Sequence, residues 1–154
     1  FGDTLMRLVV NFAVGSLLVA SVVGPMSFRF SNLLPLLAVI ALALLLDFCI
    51  EGLIGLCAFV TEDVSSIQLI YGKTLFILGG LLIPLDFFPQ WLREIAQGLP
   101  FHYVIYAPAR LFVSFDMGQW IHVAGIQAAW VSVFALALWG LFQRASSHLS
   151  INGG

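Results

Sequence analysis

Three ionisable side chains stand where an apolar chain should carry none. Asp47 and Glu51 lie four residues apart inside the long apolar run Leu33 to Val60, so a helix puts both on one face. A carboxylate at the centre of a membrane helix costs about 2.5–3.5 kcal/mol on insertion scales, so the pair has to face protein or a watery path. Lys73, in the next apolar run, is the matching cation. Counted from the short turn Thr61 to Ser66, Glu51 sits about 14 Å deep and Lys73 about 9 Å, a gap that a lysine side chain covers. Two chemistries follow. The plainer one is an ion pair that locks two helices; the sharper one is a polar path for a substrate or for protons.

Other reactive constellations are incomplete. Gly72, Lys73 and Thr74 reproduce the tail of a phosphate-binding loop, but Ile67 stands where its first glycine belongs and an apolar helix stands where its strand should be. Nucleotide hydrolysis by this chain is therefore not expected. His102, His122, Asp86, Glu94 and Asp116 fall on or near one long connection, yet no two have metal-ligand spacing, and an interfacial histidine or tyrosine usually serves as an anchor. No serine lies in a nucleophile-elbow sequence and neither cysteine has a histidine near it in sequence. Cys49 and Cys57 are separated by about 12 Å of helical rise, too far to bridge each other. The residues thus point away from an enzyme and from a metal or cofactor held in this chain.

The surroundings explain why the charges are so conspicuous. Of 154 residues, 61% are hydrophobic and 9% charged, whereas soluble domains run at about 45–50% and about 25%. Most of the chain must therefore face lipid or other apolar helices. Six Lys and Arg, with no basic run, leave out the footprint of a nucleic-acid binder. The expected fold is all-α, a polytopic helical membrane protein forming a single transmembrane domain. Four stretches reach the roughly 20 residues that a crossing needs, about 5–24, 33–60, 67–85 and 120–142, followed by a short tail, 143–154. The second exceeds the bilayer core and should tilt; Asn32 is a candidate N-cap, with Pro35 in the first turn. The first residue, Phe1, and the lack of a leader before the first apolar run suggest a piece of a longer membrane protein.

The loops are unequal. Short turns, 25–32 and 61–66, make hairpins of the first three spans, whereas 86–119 is long and aromatic, with both ends on one side. From Ile83 to Pro108 the sequence reads IPLDFFPQWLREIAQGLPFHYVIYAP. Pro84, Pro89, Pro100 and Pro108 each remove a backbone donor and tend to end helices, while Phe87, Phe88, Trp91, Leu92 and Ile95 keep the segment apolar. That combination predicts a pair of short re-entrant or interfacial helices: one opened by Pro89 and stopped by Gly98 and Pro100, another from about Tyr103 to Val113 with Pro108 as a kink or break. Small residues recur every fourth position at Ala124, Ala128 and Ser132, beside Gly125 and Ala129, and Gly72, Gly79 and Gly80 punctuate the third span. They permit close helix packing, within the bundle or at a subunit interface.

The segment from Ile83 to Arg110 resembles the pattern I-P-L-x-x-F-P-x-W-L, then L-P-F-x-Y, then P-A-R, of the membrane subunit of a type-2 ATP-binding-cassette (ABC) transporter, in a bacterial subgroup usually described as uncharacterised permeases. Such permeases have six spans, and this chain resembles the last four. The resemblance implies a permease forming the path for ATP-driven export of an amphipathic or hydrophobic substrate. Its partners would be two ABC ATPase subunits holding ATP and Mg2+, a second permease subunit (identical or related) and membrane lipid, with no nucleic acid. It implies the bacterial plasma (inner) membrane, a multi-pass chain with a cytoplasmic C-terminus, and an external connection 86–119. Lys and Arg divide three against three between the two sides, so charge alone does not orient the chain. Phe87, Phe88, Pro89, Trp91, Gly98, Pro100 and Tyr103 would then form an external gate, and Thr61, Glu62 and Asp63 a loop facing the ATPase. A proton-coupled secondary transporter working through Asp47 and Glu51, or an integral-membrane enzyme using Asp86, Glu94 or His102, are the alternatives.

Overall fold

The computed structural model describes residues 6, 10, 13–15, 17, 32–57 and 63–149, with side chains to residue 144. The chain forms two compact units, residues 1–32 and 33–154. In the first, the described residues between 6 and 17 are helical; the rest of the apolar stretch expected over 5–24 lies outside the described residues. The second unit holds all the elements named below. Among the described residues every regular element is helical, in agreement with the all-α expectation.

Helix α1, Leu33–Cys57, starts one residue after Asn32. Its buried positions Leu36, Val39, Ala43, Leu46, Ile50 and Ile54 recur every three or four residues, one stripe of a helix. The opposite side is no less apolar: Leu34, Leu37, Leu44 and Phe48 are exposed. A helix that is apolar all round belongs in lipid or deep in a core. Helix α6, Met117–Leu149, has the same character, with Ile121, Leu136 and Trp139 exposed. These two helices are long and apolar enough to cross a membrane.

The two long helices run parallel. Trp120 Nε1 at the start of α6 donates to the Pro35 carbonyl at the start of α1 (2.8 Å). Near their far ends, a Cβ placed on Gly52 would stand 3.2 Å from the Leu138 methyls. The connection between them therefore has to bring the chain back to the end from which α1 set out.

Helix α2, Ser65–Leu78, makes most of that return. At 14 residues it rises about 21 Å, short of the roughly 30 Å of a hydrocarbon core. The expected span over 67–85 thus ends seven residues early. Gly79 N–H bonds Leu75 O, Gly80 N–H bonds Ile77 O, and Gly80 takes a φ of +74°, which turns the chain out of the helix. Four helices of spanning length were expected, and among the described residues two have it.

The rest of the connection is a 3-10 turn, Leu85–Phe87, and three short helices: α3, Gln90–Gly98; α4, Pro100–Val104; and α5, Tyr106–Val113. Pro84 and Pro89, both extended, precede the 3-10 turn and α3. Pro100 opens α4, as its fixed φ and missing N–H suit. Pro108 was expected to kink or break the second short helix. The break instead falls at Ile105, because Pro108 lies in the first turn of α5, where no intrahelical donor is lost.

Two apolar clusters record how deep the connection goes. Leu111 of α5 packs with Leu36 and Val39 at the start of α1. Tyr103 and Ala107 share a cluster with Leu46, Ile50 and Ile54, and Leu46 lies about 20 Å further along the helix than Leu33. The chain therefore dips along α1 and α6 and climbs back toward the start of α1 before α6 begins.

Gly80 is the joint on which this depends. A Cβ there would approach Leu85 Cδ1 to 2.7 Å and the Tyr106 ring to 2.8 Å. Gly80→Ala is expected to cost about 1–3 kcal/mol through the left-handed backbone and the overlap. Gly140→Ala, where a Cβ meets nothing within 4 Å, should change stability by about 1 kcal/mol or less, on the favourable side. Thermal unfolding of the two variants in lipid nanodiscs checks the contrast.

Candidate functional site

Asp47 finds its partner in Tyr71, whose hydroxyl donates to Asp47 Oδ1 across α1 and α2. The ion pair with Lys73 expected from depth alone does not form: Lys73 is exposed, and among the described residues it joins no carboxylate. The reason is angular. Residues 71 and 73 are two apart and point to different sides of α2. Glu51 is exposed too. Tyr71 also meets Phe101 of α4 at 6.0 Å between ring centroids, so the Asp47 link fastens the base of the re-entrant segment.

Among the small residues, Ala124 packs in the cluster at the start of α1, whereas Gly125, Ala128, Ala129 and Ser132 are exposed. Gly79 and Gly80 serve the turn after α2. Of the loop 61–63, Thr61 and Glu62 lie outside the described residues. Asp63 Oδ1 accepts both the N–H and the hydroxyl of Ser65, and these bonds hold its carboxyl below the ordinary range.

The segment proposed as a gate is organised by Arg93, a residue whose role the sequence did not disclose. Its guanidinium reaches back from α3 to the carbonyls of Leu85 (3.1 Å), Asp86 and Phe88 (3.5 Å). Tyr106 of α5 donates to Asp86 Oδ2 (2.8 Å) and ties the same turn to the deep helices. The faces of α3 are thereby assigned. Ala96 is buried and Leu92 half-buried, while Trp91 and Ile95, four apart, project as exposed apolar residues, and Phe87 is exposed on the preceding turn. Phe88 is half-buried, Pro89 and Gly98 are exposed, and Pro100 and Tyr103 are buried.

Behind α3 the short helices and the start of α6 enclose a cleft of about 760 Å³, whose lining includes Gln97, His102, Tyr106, Arg110, Asp116 and His122. It gathers His102, His122 and Asp116 in one place; among the described residues no three His, Cys, Asp or Glu side chains come together as metal ligands. Asp116 serves as the N-cap of α6, its Oδ1 accepting Gln119 N–H (2.8 Å). His102 is buried between Tyr103 and Tyr106, with ring centroids at 4.9 and 5.3 Å. Burial, with the Arg110 charge second, pulls its imidazole down to about 4.

Below the cleft, Gln127 is fully buried, and its Nε2 donates to the Tyr103 carbonyl (2.8 Å). That carbonyl belongs to the last turn of α4, where helices leave oxygens unpaired. A lone amide inside an apolar span was the available signal, since such a residue turns inward to bond a neighbouring helix.

A family model described as ABC-2 family transporter protein matches residues 3–153, nearly the whole chain. The chain belongs to the ABC-2 transporter family. It is thus a membrane component of an ABC transporter, a permease working with ABC ATPase subunits. No curated protein and no solved structure matches it. The ABC-2 match carries the same assignment as the proline-aromatic pattern of residues 83–110, and in this permease that pattern corresponds to the 3-10 turn, α3, α4 and most of α5.

Two outcomes test the site. Arg93→Met, which keeps the stem and removes the donors, is expected to destabilise the Leu85–Phe88 turn by about 2 kcal/mol. Faster amide exchange at Phe88 and Leu92 reads the effect, and Arg93→Lys should rescue little, since one ammonium cannot replace the guanidinium fork. For His102 the folded value lies below the unfolded 6.5, so the unfolded chain takes the proton first. Its share of stability is complete above about pH 6.5 and is lost as pH falls toward 4. His102→Phe should flatten that stretch of the stability–pH curve, measured by thermal unfolding between pH 4 and 8.

Proposed function

We propose that this permease lines the path by which an amphipathic or hydrophobic substrate leaves the cell, and that the Leu85–Val113 segment caps the exit. The observation that carries the reading is the re-entrant course of α4 and α5 between two parallel, lipid-compatible helices in a chain of the ABC-2 family. A plug seated on both long helices responds to any change in their relative tilt. Arg93 and Tyr106 make the turn and α3 move with it.

In this reading two permease subunits, identical or related, pack around a central path in the bacterial inner membrane, with α1 and α6 among the spans contributed by this chain. The C-terminus and the 61–63 loop face the cytoplasm and two ATPases, which hold ATP and Mg2+. Closure of the ATPases around nucleotide tilts the helices between inward and outward access, and the connection sits outside. The Asp47–Tyr71 bond is structural and joins α1 to α2.

The test is export from proteoliposomes containing the full permease and its ATPase. Transport should stop with a hydrolysis-dead ATPase and with vanadate, and a cross-link from W91C to a neighbouring span should block it. Export indifferent to ATP would overturn the transporter reading, and export unchanged by the cross-link would overturn the cap.

A further inference from the structure

Arg110 is the one cation lining the cleft that carries a permanent charge, and among the described residues it forms no ion pair. Asp116, the lone carboxylate in the lining, is committed to capping α6 through Oδ1. The other acid near this region, Asp86, takes the Tyr106 hydroxyl. Beside the guanidinium stands His102, about nine-tenths buried, with an Nδ1 that has no hydrogen-bond partner. The Arg110 charge is felt at His102, where it opposes protonation. His122, Gln119 and Gln97 add further groups able to donate to an oxygen, and Gly118 brings the first turn of α6 to the same wall. The lining thus sets one guanidinium, two imidazoles and two amides against a single carboxylate, which caps α6 and forms no ion pair with Arg110, so the guanidinium side of the cleft gathers donors with no acid among them.

We propose that this cleft binds a phosphate-type oxyanion between Arg110 and the histidine-bearing wall formed by His102 and His122. A guanidinium fork matches two phosphate oxygens, and such charge-assisted pairs are the strong ones. Bound charge also makes His102 easier to protonate, so oxyanion and proton take up positions in the cleft cooperatively. The source most consistent with the setting is a lipid headgroup. Gln97 and Gly98 at the end of α3 line the cleft, and the same helix presents Trp91 and Ile95 as exposed apolar residues, with Phe87 exposed on the turn before it. Such a helix lies at the boundary of acyl chains and headgroups, where the phosphates of the bilayer are. The inference rests on the chain being a membrane permease, but not on its transporting anything.

Binding is measured on the full permease in phosphatidylcholine nanodiscs doped with phosphatidylglycerol, by native mass spectrometry of retained lipid. A parallel arm adds inorganic phosphate to pure phosphatidylcholine discs and reads 31P line broadening. Wild type should retain phosphatidylglycerol over phosphatidylcholine, and Arg110→Gln should weaken that retention about tenfold or more, the loss of a charge-assisted pair. Arg110→Lys, which keeps the charge without the fork, should fall between them and serves as the folded control. Binding of inorganic phosphate with no preference for phosphatidylglycerol would keep the site and assign it to a soluble anion. Equal retention of both lipids by wild type together with no phosphate broadening would overturn the proposal, as would Arg110→Gln binding like wild type. Because no ATPase is involved, an oxyanion bound here in a protein that fails the export test would sink the transporter reading and leave this site standing.

Discussion

Backbone carbonyls that lose their donors have to be supplied with new ones where little water reaches, and the connection of this permease is built around that constraint. Prolines at 84, 89, 100 and 108 each remove an N–H while leaving the carbonyls in place. The side chains that cross between elements here end largely on backbone carbonyls. Arg93 donates to Leu85, Asp86 and Phe88, Gln127 to Tyr103, and Trp120 to Pro35. Each bond also fixes a relation between elements: turn to α3, α4 to the middle of α6, and α6 to the start of α1. Satisfying the backbone and assembling the fold are here the same event.

The parallel pairing of α1 and α6 gives those bonds something to hold. Two parallel helices joined through one shorter helix leave a gap in the length of chain that must be made up, and the re-entrant segment fills it from within. Tyr103 and Ala107 reach the level of Leu46 and Ile50, while Leu111 returns to the level of Leu36. A plug of this kind is held by packing over most of its length and by polar bonds at its turns. The cleft lies on its wetter side, with Arg110, His102 and His122 together, and the apolar stripe of α3 lies close by.

Legibility varied with the kind of signal. The long helix α1 was plain because its apolar run carries only two charges, Asp47 and Glu51, and the last helix likewise, though it starts at Met117, before the expected 120, because Asp116 caps it there, and runs on to Leu149. The Pro89 start and Gly98 stop of α3 were read correctly, since both act locally. Hydropathy misjudged α2. The residues after Leu78 are as apolar as those before, but Gly79 and Gly80 end the helix, and the left-handed Gly80 is packed against Leu85 and against Tyr106, which tertiary packing brings in from α5. Pro108 was misplaced as a break for a related reason: whether a proline sits in a helix interior or a first turn depends on where the helix begins, and Ile105 set that.

What composition and spacing determined alone was the class of molecule: helical, membrane-borne, with a proline-broken stretch of short helices and a family pattern in residues 83–110. Those properties follow from the cost of exposing apolar surface and unpaired backbone, which every residue pays regardless of its neighbours in space. Only the tertiary structure decided which charges meet. Depth along an apolar run suggested Lys73 for the carboxylates of α1, but the rotation of α2 brings Tyr71 to Asp47 and turns Lys73 outward. Arg93, Gln127 and Arg110 look alike in sequence as isolated polar residues in apolar surroundings. Their different roles, on a turn, on a buried carbonyl and in an open cleft, come from helix rotation and crossing, which one-dimensional spacing does not encode.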